Sequence, residues 1–283
     1  MEPHRLDSQF KFLKLSEPRP GVVVVQLDRP RKRNAINTEG WQEIGDVFTS
    51  VAQDGACRCI VLSGIGKDFS AGIDITDPGF FSFNDSDADV ARRGLSFLPK
   101  VKQMQDCFTA VEKCPVPVIA AIHGNCIGAG VDIACCCDVR LAAPETTFSV
   151  REVKIGLAAD IGTLQRLPKI TGNDSRVREL CYTGEFFSSQ EALSIGFISR
   201  ICPNPLAGAI ELATKIAASS PVAVHGTKKS LMYSRDHSVA EGLEHVAMHN
   251  SLALMTDDVP EAHAASANKE NPSFSNMLPF SKL

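Results

Sequence analysis

The sequence predicts an α/β protein in which strands are concentrated before about residue 150 and helices after it. One observation is the apolar run 116–122, which mixes β-branched residues with alanine and is bounded by Pro115 and Gly124, as a buried strand would be. The others are two strand-like runs near the N-terminus and a series of apolar stripes at helical spacing in the second half. We divide the chain into a core at residues 1–200 and a helical region at residues 201–283.

The N-terminal part of the chain predicts a hairpin, a helix and a further strand. Residues 10–16 and 22–27 have strand character and are separated by a turn that contains two prolines and a glycine. A helix follows, which Asn37 or Thr38 can cap. Its apolar face is formed by Trp41, Ile44, Phe48 and Val51. The next strand is expected at residues 58–62.

Two turns of small residues follow predicted strands, at residues 69–75 and 126–133. A strand that leads into small residues at a helix start lets backbone N–H groups approach a ligand oxygen closely. The same amides could stabilise an oxyanion that forms during a reaction, and Asp132 would place a carboxylate beside it. Taken alone, a Gly-rich turn such as 126–133 is better interpreted as a tight packing turn with a solvated Asp, and only the rest of the chain reverses this preference.

The remaining elements are placed in order along the chain. Residues 77–96 are polar and mixed, which predicts a mobile surface loop, and residues 97–114 predict a helix. Glu152 and Asp160 are the acids of a segment that is otherwise mostly apolar and small. Short strands are expected at 139–142 and 147–150, and helices at 163–169, 175–182 and 189–195. Later helical stripes consist of Leu206, Ile210, Ala213 and Ala217, and of Val239, Leu243, Val246, Asn250 and Leu254.

Composition excludes several classes of function. The net charge of -4 and the pI near 6.0 argue against binding to nucleic acid or to an anionic membrane. No apolar run approaches the roughly 18 residues that a membrane-spanning helix needs. The ten cysteines lack zinc-site spacing, and Cys135, Cys136 and Cys137 are consecutive in an apolar run. We therefore expect reduced, mostly buried thiols and no metal site.

Common cofactor and nucleophile motifs are missing from the sequence. Gly64 and Gly66 begin a dinucleotide-like pattern, but Phe69 stands where its third glycine should be. The chain has no P-loop and no Gly-x-Ser-x-Gly elbow. A basic loop at residues 28–35 is interpreted either as a solvated turn or as a phosphate contact, and both interpretations stay open.

The two ends of the sequence bear on targeting. Residues 1–9 include two acids and no apolar block, so we expect neither a secretory signal nor a transit peptide there. The last three residues, Ser281, Lys282 and Leu283, match the tripeptide that the peroxisomal import receptor binds. The sequence therefore predicts a peroxisomal protein.

Taken together, the motifs resemble the crotonase, or enoyl-CoA hydratase/isomerase, superfamily along nearly the whole chain. The matching segments are 27–30 with 34–37, 69–74 and 123–130. Within that superfamily the chain most resembles the Δ3,5-Δ2,4-dienoyl-CoA isomerases, because of Asp132, Glu152 and Asp160. In the hydratases, the positions that match Asp132 and Glu152 are both Glu, and the position that matches Asp160 is Gly.

The resemblance implies a spiral of repeating ββα units, followed by a helical C-terminal region that forms trimers, which often pair into hexamers. It implies an acyl-CoA thioester substrate and an oxyanion hole made by the backbone amides of Ile73 and Ala129. Most relatives have Gly at the position of Ala129, so the extra methyl could narrow the site. The substrate-binding residues implied are Ala71, Gly72, Ile73, Asp74, Ile75 and Ala129. No metal and no redox cofactor is expected.

The chemistry implied by the resemblance needs two carboxylates, one near C2 and one near C6 of a 3,5-dienoyl thioester. We assign Asp160 to C2 and Glu152 to C6, although the reverse order is equally consistent with the sequence, and Asp132 would tune or assist them. Alternatives are an enoyl-CoA hydratase, a monoenoyl-CoA isomerase, or a non-catalytic acyl-CoA-binding relative. Asp160 has a structural alternative as well, since it could cap the helix that begins near Thr163.

Overall fold

The computed structural model describes residues 4–81 and 87–279, so the C-terminal tripeptide 281–283 lies outside the described residues. The strands are β1 (Leu13–Arg19), β2 (Val22–Leu27), β3 (Cys59–Gly64), β4 (Val118–Ile122), β5 (Asn125–Ile127), β6 (Val139–Ala142), β7 (Thr147–Ser149), β8 (Phe187–Ser188) and β9 (Arg200–Ile201). The helices are α1 (Thr38–Ala52), α2 (Pro78–Phe81), α3 (Val90–Lys113), α4 (Ala129–Cys136), α5 (Thr163–Ile170), α6 (Asp174–Thr183), α7 (Ser189–Ser194), α8 (Pro205–Ala217), α9 (Pro221–Ser234), α10 (Val239–Ala253) and α11 (Asp258–Asn268). Short 3-10 helices lie at Asp7–Gln9, Pro30–Lys32 and Glu152–Ile155.

The strands form two sheets that the chain visits alternately. The larger sheet has the order β1-β2-β3-β4-β6-β9, and all neighbours in it are parallel except β1 and β2. The smaller sheet has the order β5-β7-β8, and single bridges join Ile36 to Ile73 and Ser70 to Cys126. Along the chain, a strand of the large sheet is thus usually followed by a short strand or a single bridge on the side of the small sheet. This alternation is the repeating unit that the sequence led us to expect.

The core lies on both faces of the large sheet. On one face, α1, α3 and α4 bury an extended apolar cluster in which Trp41 stacks on Phe108, with ring centroids 4.4 Å apart. On the other face, Ala209 and Ala213 of α8 pack against strand residues such as Val61. Nine of the ten cysteines are buried and all ten are free thiols, as predicted.

Most predicted elements are present, and two features differ. The predicted surface loop at 77–96 is wrong for residues 78–81, which form α2, and for residues 90–96, because α3 already begins at Val90. Asp89 caps α3 by accepting a hydrogen bond from the Arg92 amide. Residues 82–86 of that prediction lie outside the described residues. Helix α8, which we placed in the C-terminal region, covers the large sheet of the core, so the 1–200 and 201–283 division stays a prediction.

The last helices leave apolar side chains in solvent. Val239 is 80% exposed and Leu252 is 79% exposed, and Leu231, Leu243, Leu254 and Met255 are similarly open. Among the described helices, none is both long and apolar enough to cross a bilayer.

Candidate active site

The two predicted turns lie against each other. Ile127 donates its amide to the Ser70 carbonyl at 3.0 Å, next to the bridge between Ser70 and Cys126. Gly72 has φ of +91°, and a Cβ there would lie 2.8 Å from the Ile127 carbonyl oxygen and 3.5 Å from the Ala129 nitrogen. Glycine at this position therefore lets the first turn approach the second closely.

The structure leaves two backbone amides available at this junction. The parallel bridge uses the Ile36 and Asp74 amides, so the N–H of Ile73 faces away from that contact. Ala129 is the first residue of α4. Among the described residues, neither the Ile73 nor the Ala129 amide has a hydrogen-bond acceptor. Two free donors at adjacent turns, one at a helix N-terminus, suit a developing negative charge on oxygen.

A buried carboxyl pair lies behind these amides. Asp132, on α4, is 2% exposed, and its Oδ1 accepts a hydrogen bond from the Thr163 amide at 2.7 Å. Glu152 opens a 3-10 helix, and a Cβ on Gly128 would lie 3.2 Å from its Oε1. Its Oε2 is buried and has no partner among the described residues. The Glu152 carboxyl is thus next to the turn that carries the Ala129 amide.

Burial perturbs both acids of this pair, and the negative charge of neighbouring acids adds to the effect. Burial raises the pKa of Glu152, and the negative charge of Asp132 raises it further. Burial also raises the pKa of Asp132, although the hydrogen bond from the Thr163 amide partly offsets the effect. Because the two carboxyls titrate as a pair, they retain a proton at a pH where an ordinary carboxyl has lost it. Glu152 is therefore suited to donate a proton near neutral pH.

Asp160 is close enough to the buried pair for its charge to raise the pKa of both Asp132 and Glu152. It is on a segment between Gly156 and Gly162, both with positive φ, and it lines a polar cavity of about 360 Å³ that neither the buried pair nor the two free amides line. Asp160 as a whole is exposed, but partial burial of its carboxyl raises the pKa of that group above its ordinary value. The capping alternative for Asp160 is wrong, because Gly162 is the N-cap of α5 and has no side chain to cap the helix. The Thr163 amide is instead bound by Asp132.

The remaining predicted substrate-binding residues differ in their surroundings. Ile75 is 63% exposed, and the Ala71 amide is bonded to the Arg33 carbonyl. The Asp74 carboxylate is already bound by Arg29 at 3.1 Å and by the Thr76 hydroxyl at 2.6 Å. The Asp74 carboxylate therefore holds the first turn in shape and joins it to the basic loop at residues 28–35.

Two residues support the site although neither was among the predicted catalytic or substrate-binding residues. Ser70 Oγ accepts from the Gly72 amide at 3.1 Å and donates to the Asn34 carbonyl at 2.9 Å, which fixes the first turn. Although burial opposes it, hydrogen bonds from Arg33 and Asn125 hold the pKa of Asp68 at about 2. Asp68 ties the basic loop to the strand that precedes α4, so Arg33 is engaged in an ion pair.

A metal site can be tested against the same geometry. In residues 4–81 and 87–279, no group of three or more His, Cys, Asp or Glu side chains could hold a metal ion.

Comparison with known proteins identifies the family. The enoyl-CoA hydratase/isomerase family model matches residues 17–277. The human mitochondrial Δ(3,5)-Δ(2,4)-dienoyl-CoA isomerase is 44% identical over 281 residues, which is 98% of this chain and 84% of that protein. The Arabidopsis thaliana peroxisomal enzyme of the same name is 39% identical over 255 residues, which is 89% of this chain and 91% of that protein.

Solved structures agree with this assignment. The crystal structure of enoyl-CoA hydratase from Bacillus anthracis matches with a TM-score of 0.84 and 28% identity, covering 93% of this chain and 99% of that one. The enoyl-CoA hydratase-like protein from Streptomyces coelicolor also matches with a TM-score of 0.84, at 30% identity and with 94% and 95% coverage. These matches confirm the predicted crotonase-like α/β fold. The chain belongs to the enoyl-CoA hydratase/isomerase family.

Proposed function

We propose that this protein isomerises 3,5-dienoyl-CoA to 2,4-dienoyl-CoA. The observation that carries the proposal is that the buried carboxyl of Glu152 lies against the turn with the free Ala129 amide, with the charge of Asp160 near enough to raise the pKa of Glu152. Perturbed carboxyls beside an oxyanion site are typical of proton transfer next to a thioester. The names of the human and Arabidopsis relatives support the same substrate.

The first step stabilises charge on the thioester oxygen. The amides of Ile73 and Ala129 donate to this oxygen when a proton leaves C2, because the negative charge delocalises onto it. In comparable sites one such donor lowers the barrier by about 3–4 kcal/mol. The Ala129 methyl does not remove this donor, since only the backbone N–H is needed.

The proton steps use Asp160 and Glu152. Asp160 takes a proton from C2, and the resulting trienolate carries negative charge as far as C6. Glu152, protonated because its pKa is raised, gives its proton to C6, so that one C–H bond breaks and one forms. General acid–base transfer contributes about 10²–10⁴-fold for each such group. Turnover leaves Asp160 protonated and Glu152 ionised, and proton exchange then restores the starting state.

Apolar side chains near the acids fit an acyl chain. Val153, Ile155 and Leu157 follow Glu152 along the chain toward Asp160, and all three are exposed. Ile75 is exposed beside the first turn. Apolar side chains in solvent at the edge of a polar site are typical of a surface that a hydrocarbon chain covers.

The proposal is tested by an ultraviolet assay that compares 3,5-dienoyl-CoA with 2-enoyl-CoA. The dienoyl substrate should be converted to the conjugated 2,4-dienoyl product, whereas hydration of 2-enoyl-CoA should be slower by orders of magnitude. Rapid hydration without dienoyl isomerisation would instead identify a hydratase. Tight binding of both thioesters without turnover of either would identify a binding protein.

We also propose that the protein is imported into peroxisomes. The support is the final tripeptide Ser281, Lys282 and Leu283. An N-terminally tagged protein should be found in peroxisomes, and removal of Leu283 should leave it in the cytosol. Unchanged peroxisomal targeting of the truncated protein would contradict the proposal.

Assembly into a trimer or a dimer of trimers is our proposal for the C-terminal region, 201–283. The exposed apolar side chains of α9 and α10, such as Leu231 and Leu243, support it. Analytical ultracentrifugation at micromolar concentration should give a trimer or hexamer mass. A stable monomer would contradict this proposal.

A further inference from the structure

We infer that Gln105 is a positioning residue, which holds the Asp160 carboxylate in its reactive place. Nε2 of Gln105, on α3, donates a hydrogen bond to the backbone carbonyl of Asp160 at 2.7 Å. The inference rests on the proposed function, because it assigns Gln105 a role only through the proton transfer by Asp160.

The chain around Asp160 is exposed before it and buried on either side of it. Residues 153–158 are exposed, whereas Ala159 and Ile161 are buried in the core. The cavity of about 360 Å³ beside Asp160 gives the segment room to move. A rotation of the exposed Asp160 peptide between its two buried neighbours would carry the carboxylate away from C2, and a displacement of about 1 Å can cost 10²-fold in rate.

Gln105 lies on a part of α3 that contacts with Trp41 hold against the buried core. The indole Nε1 of Trp41 donates to the Met104 carbonyl at 2.8 Å, and the same ring stacks on Phe108. These contacts hold the turn of α3 on either side of Gln105 to the buried core. The hydrogen bond therefore connects Asp160 to a rigid element and not to another loop.

Contacts further along the segment act in the same direction. Nη1 of Arg166 donates to the Ile161 carbonyl at 3.3 Å, and its Nη2 is bound by Glu112 at 3.0 Å. The guanidinium lies across Gly162, where a Cβ would meet it at 1.8 Å. Arg166 and Asp132 thus hold the residues after Asp160, whereas Gln105 binds Asp160 itself.

The test compares Gln105→Leu with Gln103→Leu. Gln103 is on the same helix, but its side chain donates to Gln42 on the exposed surface, so its variant is a matched control. Gln105→Leu should lower kcat for 3,5-dienoyl-CoA by about tenfold or more. It should change KM by less than about twofold and leave Tm near that of the control. The control should keep the wild-type rate.

A double variant distinguishes positioning from general damage. If Gln105 acts through Asp160, then Gln105→Leu should have no further effect on the residual rate of Asp160→Asn. Additive losses in the double variant, or a Gln105→Leu rate within twofold of wild type, would overturn the inference.

Gln105→Glu offers a second variant of nearly the same shape. It removes the donor and adds negative charge, so the acid limb of its kcat/KM profile should move to higher pH as the pKa of Asp160 rises. An unshifted limb with a wild-type rate would also overturn the inference. Failure of the proposed function would look different, because wild type itself would not isomerise the dienoyl thioester or Asp160→Asn would remain fully active.

Discussion

Asp132→Asn should shift the pH dependence of turnover more than it changes the maximal rate. The variant keeps an oxygen that can accept from the Thr163 amide, now at 2.7 Å from Asp132, so the start of α5 should stay in place. It removes the negative charge that, after burial, is the largest cause of the raised pKa of Glu152. The pKa of Glu152 should therefore fall, by on the order of one pH unit.

The direction in which the pH–rate profile should move follows from the role of Glu152 as the proton donor. Turnover requires protonated Glu152, so the rate falls as pH rises through its pKa, and in Asp132→Asn this basic limb should lie at lower pH. The measurement is kcat for 3,5-dienoyl-CoA between about pH 5 and pH 9 in both proteins. A basic limb that stays in place, or moves to higher pH, would refute the coupling between Asp132 and Glu152.

Asp132→Asn should also make the folded protein more stable at high pH. Because the pKa of Asp132 is higher in the folded than in the unfolded protein, the native state loses stability as pH rises through this range. Asp132→Asn removes this cost, so its Tm should exceed that of wild type by a few °C at pH 8. The difference should disappear near pH 4, where Asp132 of wild type is protonated in the folded state. A lower Tm at pH 8 would contradict the reasoning.

Other substitutions test individual parts of the site. Ala129→Gly should retain most activity, whereas Ala129→Pro should lower kcat by about 10²–10³-fold in a folded protein, because it removes the amide donor; circular dichroism checks the fold. Glu152→Gln should lower kcat by about 10²-fold, as measured with 3,5-dienoyl-CoA, since it cannot donate a proton to C6. Asp68→Asn should lower Tm by several °C at pH 7, because the ion pair with Arg33 is lost. That Tm difference should shrink as pH falls from about 4 toward 2, through the pKa of Asp68.

Each of these expectations has a contradicting result. A normal rate in folded Ala129→Pro would exclude this amide as a donor. A normal rate in Glu152→Gln would mean that another group protonates C6. A Tm difference for Asp68→Asn that does not depend on pH would show that the lost ion pair is not its cause.

The parts of the fold that depend on local pattern could be predicted from the sequence. Asn37 does cap α1, and the predicted stripe from Trp41 to Val51 is buried, because capping and helical periodicity act within a few residues. The start of α3 was missed because its first turns are mostly exposed and show no apolar face. The signal that was available is Asp89, an N-cap residue directly before Val90.

The residues of the candidate site could be proposed from the sequence, but their contacts could not. The sequence singles out both turns and all three acids, and their roles in the reaction stay a prediction. The contact between Gly72 and Ala129, and the bond from Asp132 to the Thr163 amide, join positions that are far apart in the chain. Such pairings depend on how the two sheets stack, which no local pattern determines. For the same reason the sequence left a cap at Asp160 open as an alternative, whereas in the fold Asp132 binds the first amide of α5.

The most direct test of the central claim is the rate at which Asp160→Asn isomerises 3,5-dienoyl-CoA. Asn has nearly the same shape but cannot take the C2 proton, so kcat should fall by about 10²–10⁴-fold while Tm stays near the wild-type value. The two proteins should be compared at the same pH and with saturating substrate. If folded Asp160→Asn turns over at close to the wild-type rate, Asp160 does not transfer the proton, and the assignment of the two proton steps to Asp160 and Glu152 is wrong.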